Sequence, residues 1–328
     1  VTGWGVLGLT TTDLSYDYAA IVKNIIFCII QCFVFFTLGL CLLRCNQQYL
    51  CRSLEKTVPF ITLPPLFFFI VNAVKHFGER NIPRGQYTGI YLGHDGLPRA
   101  IGFVHDPNYF ALKMLGLLLI FMVIGKIYKF KKKTNVFLLM GLLDVLLTTS
   151  RAAMLVILMF IALCGLFKVL RVKKILVFCV LAAVTAFAVS PKSRDIVLSK
   201  ISKTDGSIEE RGTVALIGLK AAFAYPAGVG IGNTQPYYLK EYGAEKIAHN
   251  DWVEVLVECG ILGLLTYLAI FIMLLYLCKN KLARICILCF MLHLCTLSSF
   301  NYEPIIPAVL TFMCYFAHVL PNRKTQLS

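Results

Sequence analysis

Charge is scarce in this sequence, and negative charge scarcest. Only 15% of the 328 residues are charged, with 17 Asp and Glu against 32 Lys and Arg. That excludes an ordinary soluble domain, which has no need of a 58% hydrophobic composition and a mean hydropathy of +0.76. The two most polar stretches, 75–106 and 190–248, hold none of the 13 cysteines, which excludes a disulfide framework. Familiar catalytic signatures are missing as well. There is no His-Glu-x-x-His, no Gly-x-Ser-x-Gly, and no carboxylate pair in a glycosidase-like setting. No repeat and no low-complexity segment is present. The chain begins at Val1 without a cleavable signal pattern, which implies a processed chain or a piece of a longer one with further N-terminal helices.

What is there is a series of apolar runs near the length needed to cross a bilayer core of about 30 Å. They predict nine spans, at 19–43, 58–74, 107–125, 134–149, 152–170, 175–190, 252–278, 285–299 and 304–320, in one integral membrane domain over 1–328. Pro59, Pro64 and Pro65 are expected to kink or delay the second. The short loops 44–57, 126–133, 171–174, 279–284 and 321–328 hold sixteen basic residues, whereas those at 1–18, 150–151 and 300–303 hold only Arg151. Positive-inside topology then puts the C-terminus in the cytoplasm and the long loops 75–106 and 191–248 outside. It also accounts for the net charge of +15 without nucleic acid, because the cations form no single soluble face. Cys286-x-x-Cys289 has metal-like spacing, but no second pair accompanies it, so small packing residues are the simpler reading.

Groups able to do chemistry gather on the extracytoplasmic side. Arg151 sits in a tight turn after Thr149-Ser150, where topology disfavours a cation. Arg80, Arg84 and Arg99 lie in the first long loop, which runs into Asp106-Pro107-Asn108. Arg211 follows Glu209-Glu210 and precedes an apolar helical pattern of Val214, Ile217, Leu219, Ala221 and Phe223. Guanidinium forks match phosphate oxygens and keep their charge, so Arg151 and Arg211 at one depth suit a lipid diphosphate. Snorkelling to headgroups is the alternative, and it fits Arg80 and Arg84 better. His249 stands where the second long loop meets an unbroken apolar run. Spacing leaves it between a proton acceptor and a member of a helix cap, His249-Asn250-Asp251, with Glu254 in the first turn. Asp144 lies two helical turns before Arg151 and is expected to pair with it; Glu258 is similarly buried. The glycine-rich 228–233 lacks the strand and the Lys-Ser/Thr of a nucleotide loop and reads as a tight connection.

Taken in order, Asp106-Pro107-Asn108 with Ala111, Thr149-Ser150-Arg151, Arg211, Tyr225-Pro226-x-Gly228-Val229-Gly230-x-Gly232-Asn233, His249-Asn250 and Glu258-x-Gly260-Ile261-x-Gly263 resemble the O-antigen ligase and polymerase family over about 95–300. The resemblance implies an all-α, polytopic, GT-C-like membrane protein of the bacterial inner membrane. It implies an inverting, metal-independent glycosyltransferase without cofactor, acting in O-antigen or capsule assembly. The donor would be a glycan on undecaprenyl diphosphate, and the acceptor a sugar or lipid-linked glycan. Membrane lipids and other polysaccharide-assembly proteins would be partners. The residues matching Arg151 and Arg211 would hold the diphosphate, and the one matching His249 would activate the acceptor. Arg99, Asp106, Asn108, Arg80, Arg84 and Asn250 are the substrate-binding candidates. A transporter or flippase for the same lipids is the competing class, which should show mid-membrane charges and broken helices.

Overall fold

The computed structural model describes residues 8–9, 18–44, 46–76, 79, 82–92, 98–169, 206–246, 248–296, 309, 311–312 and 315. It is mostly helical: α1 Tyr18–Arg44, α2 Gln47–Lys75, α3 Pro107–Tyr128, α4 Lys132–Leu147, α5 Arg151–Leu166, α6 Gly206–Ala224, α7 Thr234–Tyr242, α8 Asp251–Leu277 and α9 Lys281–Leu294. Four of these, α1, α2, α3 and α8 (the last taken across its kink), are long and apolar enough to cross a membrane, consistent with an α-helical membrane protein. The helices at the fourth, fifth and eighth expected spans hold only 16, 16 and 14 residues. The sixth expected span, 175–190, and nearly all of the ninth, 304–320, lie outside the described residues.

The chain divides into two compact units. One takes in 42–204 and 281–290. Here α2 begins at Gln47, well before the expected 58, because Asn46 caps it by accepting from the Gln48 and Tyr49 N–H groups. It then runs through all three prolines as one helix. Glu55 on α2 accepts from Lys131 N–H at 2.7 Å and Thr134 Oγ1 at 2.8 Å, so it closes the N-terminus of α4, whose own Lys131 gives no side-chain cap. Gly141 lets these helices approach, since a Cβ there would meet Thr62 at 2.8 Å and Leu118 at 2.9 Å. The loop 75–106 is not irregular, and the fold is not purely helical. Ile82–Tyr87 (β1), Gly89–Leu92 (β2) and Pro98–Gly102 (β3) form an antiparallel sheet in the order β1-β2-β3. Ile82, Ile90, Leu92, Ala100 and Ile101 are its buried side chains, and Asn72 of α2 ties the β1–β2 turn through Nδ2 to the Thr88 carbonyl at 2.7 Å.

The other unit takes in 1–41, 205–280 and 291–328. Its organising feature is a break. Gly260 inside α8 has φ 68° and ψ −171°, outside any helical region. A straight helix would separate Trp252 from Tyr267 by about 22 Å. Their rings are 5.1 Å apart, and Trp252 lies 5.4 Å from Phe271. The chain therefore folds back at Gly260, and the apolar run read as one unbroken span is two helical pieces, 251–259 and 261–277. The second, of 17 residues, is at the short limit for a crossing. The glycine-rich loop after α6 fills the break. Val229 N–H donates to the Val257 carbonyl (2.8 Å), Gly230 N–H to Glu258 (3.1 Å), and Ile261 N–H to Pro226 (3.1 Å). Backbone groups freed in an apolar setting must find such partners. Glu258 adds a side-chain tie, its Oε1 accepting from Gly232 N–H at 3.2 Å and Thr234 Oγ1 at 2.8 Å. Around the break, Val214 and Ala221 of α6 pack with Val229, Tyr237, Tyr238, Ala248, Val253 and Val257. Burying each of the valines stabilises by about 1.5–3 kcal/mol.

Candidate functional site

Helix α6 places Glu210 and Arg211 in its second turn, with the Arg211 side chain exposed. Val214, Gly218 and Ala221 recur at helical spacing and bury one face against 253 and 257. Gly218 permits that contact, because a Cβ there would collide with Val253 and with the Tyr238 hydroxyl. Two phenols hold the scaffold. Tyr237 donates to the Ile217 carbonyl at 3.0 Å, and burial pushes it up to about 12. Burial, with Glu254 behind it, pushes Tyr238 up as well.

His249 enters the site from a strained turn. Its φ is 49°, in the left-handed region that non-glycine residues visit rarely. Ala248 before it is buried in the apolar cluster. Asn250 after it is the N-cap of α8, its Oδ1 accepting from Trp252 N–H at 3.0 Å and Val253 N–H at 3.3 Å. The cap and the candidate base are thus different residues: Asn250 closes the helix, and His249 is half-buried one position outside it. Glu210, which sequence reasoning passed over, links the parts. Its carboxylate is held below the ordinary value first by Lys246, with which it forms an ion pair, and then by the charges of His249 and Arg211. Glu210 is thus a group on which Lys246, His249 and Arg211 all act. The only hint of this in the sequence was the triplet Glu209-Glu210-Arg211.

In the other unit, Arg151 is the first residue of α5 and is exposed. The turn before it is also strained, with Thr149 at φ 51°, an outlier for a β-branched residue. Thr148 stiffens the turn, its Oγ1 donating to the Val145 carbonyl at 2.6 Å and accepting from Ser150 N–H at 3.1 Å. Ser150 is the N-cap by position but makes no side-chain cap bond. Arg99, expected as a substrate ligand, sends its Nε from β3 to the Thr148 carbonyl at 2.8 Å and so braces the turn that carries Arg151.

Asp106 caps α3, accepting from Asn108 N–H at 2.7 Å with Pro107 at the first helical position, so the Asp-Pro-Asn order is a helix start. Asn108 is half-buried in that first turn. Asp144 does not pair with Arg151, because α4 ends at Leu147 and the turn breaks the shared helical face. Asp144 is buried, and its carboxyl oxygens have no hydrogen-bond partner among the described residues. Arg80 and the Arg84 side chain lie outside the described residues. Cys286 and Cys289 are buried packing residues.

Compared with protein-family models, residues 136–268 match O-Antigen ligase (Wzy_C), which supports the O-antigen ligase/polymerase family. The match covers Arg151, Arg211 and His249, whereas Arg80, Arg84, Arg99, Asp106 and Asn108 fall before it. No curated protein matches the chain.

Proposed function

We propose that this chain, whose residues 136–268 carry the O-antigen ligase family's sequence, is a membrane glycosyltransferase that moves a glycan from an undecaprenyl-diphosphate donor to a sugar or lipid-linked acceptor. The observation that carries the reading is the family match over residues 136–268, which takes in Arg151, Arg211 and His249, the last of them presented in the strained turn just ahead of α8. His249 accepts the proton of the acceptor hydroxyl as that oxygen attacks the anomeric carbon. The bond from that carbon to the phosphate oxygen breaks, and the configuration inverts. The lipid diphosphate leaves with the bonding electrons, and Arg211 and Arg151 stabilise its charge. No metal takes part in this scheme, and the working face is extracytoplasmic.

The competing transporter reading gains one feature, the break in α8. The break does not line an open path, however, because the loop 226–230 occupies it and bonds its backbone groups. Arg211→Ala and His249→Ala should leave protein abundance intact and abolish long glycan on a ladder gel. Normal ladders from either variant overturn the assignment. Activity should persist in EDTA. A deletion strain separates the two family activities: single repeats on the acceptor mark a polymerase, and long chains left on the lipid carrier mark a ligase.

A further inference from the structure

Helix α6 has more apolar surface than its packing uses. One face, with Val214 and Ala221, is buried against α8. A second stripe at helical spacing, Leu216, Leu219 and Phe223, is 62%, 46% and 88% exposed. A helix in an aqueous loop needs one apolar face, and a Phe left almost wholly in water opposes folding. The surroundings name the occupant. Just beyond Phe223, the Pro226 carbonyl accepts from Ile261 N–H at 3.1 Å, so the C-terminal end of α6 is fixed to the first residue of the crossing piece 261–277. That piece begins with its own exposed apolar residues, Ile261, Leu262 and Leu265. The stripe on α6 thus ends one short loop away from residues that a crossing helix turns to lipid. Exposed Lys220 sits beside the stripe, one turn from both Leu216 and Phe223, where its stem can cover apolar surface while its ammonium reaches phosphate.

We infer that α6 is an interfacial helix whose Leu216–Leu219–Phe223 stripe contacts the acyl chains of the bilayer. The inference rests on the membrane-crossing reading of 261–277 and not on the transfer reaction. It adds a reason for Arg211 to be where it is. Arg211 lies about 8 Å along the same helix from Leu216, so a helix seated in the headgroup region holds that guanidinium at the level of lipid phosphates.

The test uses the full chain in phosphatidylethanolamine–phosphatidylglycerol vesicles, with the photoreactive residue p-benzoylphenylalanine placed at 223, at 219, or at the exposed polar position 241 of α7. Irradiation should give a covalent lipid adduct, read as a mass shift of the intact protein, at 223 and 219 and not at 241. A covalent dimer at 223 and 219 would assign the stripe to a second copy and overturn the inference, as would no adduct at either position or equal adducts at all three. Two stripe positions keep the result interpretable should one variant fail to fold. Because the readout is mass and not glycan, the result stands apart from the outcome of the transfer assays.

Discussion

The turn 148–150 ahead of α5 and the turn 248–250 ahead of α8 use the same backbone device. Each presents a candidate group at a helix start, Arg151 or His249, and each contains a non-glycine residue in the left-handed region, Thr149 at φ 51° or His249 at φ 49°. They differ in what holds them. The second turn is closed locally, by Asn250 on the helix it starts and by Ala248 in the apolar cluster. The first has no side-chain cap and is braced from a distance, by Arg99 on β3. Strain of this kind costs on the order of 1–3 kcal/mol and persists only where surroundings enforce it. The comparison teaches that a cation at one helix start depends on a sheet in another part of the sequence, whereas the histidine at the other carries its own support.

The largest effect should come from removing the presented groups. Arg151→Ala and His249→Ala should each lower glycan transfer by about 100-fold or more at unchanged abundance, measured with purified protein. Next comes the break that positions the second turn. Gly260→Ala should cost about 3 kcal/mol or more and deplete folded protein on gel filtration, because its φ is 68° and a Cβ would strike backbone atoms of residues 226–228. Arg99→Gln should lose roughly tenfold in transfer rate with little loss of folded protein, through displacement of the Arg151 turn. The two caps should then separate the turns. Asn250→Ala should destabilise by about 1 kcal/mol, whereas Ser150→Ala, with no cap bond to lose, should leave the thermal midpoint unmoved. Equal effects from these two would erase the distinction.

The smallest effect concerns the exposed Glu210–Lys246 pair, whose removal by Lys246→Ala should hardly change stability at neutral pH. Its pH signature follows from the two shifts. Glu210 titrates below its ordinary 4.5, so its contribution is present above that value and lost as pH falls through the lowered one. Lys246 titrates above its ordinary 10.5, so its contribution is present below that value and lost as pH rises through the raised one. Thermal midpoints of wild type and K246A should therefore converge at both extremes.

Much of this was legible in the sequence. The runs behind α1, α3 and the later part of α2 are long, apolar and bounded by charge, so length and composition identify them. Arg211 and His249 could be named because polar groups at the ends of apolar runs are few. The break at Gly260 was not legible. It requires a loop roughly thirty residues upstream to bond the opened backbone, and nothing local in Glu258-Cys259-Gly260-Ile261 signals that partner. The prolines of α2 did not delay it, because a membrane helix can absorb a lost N–H where neighbouring groups satisfy the backbone. The sheet was hidden because Pro83, Gly85, Gly89 and Pro98 mask any alternation in strands of four to six residues. Leu219 and Phe223 shared a helical pattern with Val214 and Ala221, yet periodicity alone could not say that one pair meets protein and the other does not.

The most direct test of the central claim is transfer by the purified full chain from a glycan on undecaprenyl diphosphate to a glycan acceptor, in EDTA, for wild type and His249→Ala. The account predicts that wild type lengthens the acceptor and releases the lipid diphosphate in equal amounts, and that the variant does neither while still binding the donor. Elongation by the variant at the wild-type rate would contradict it.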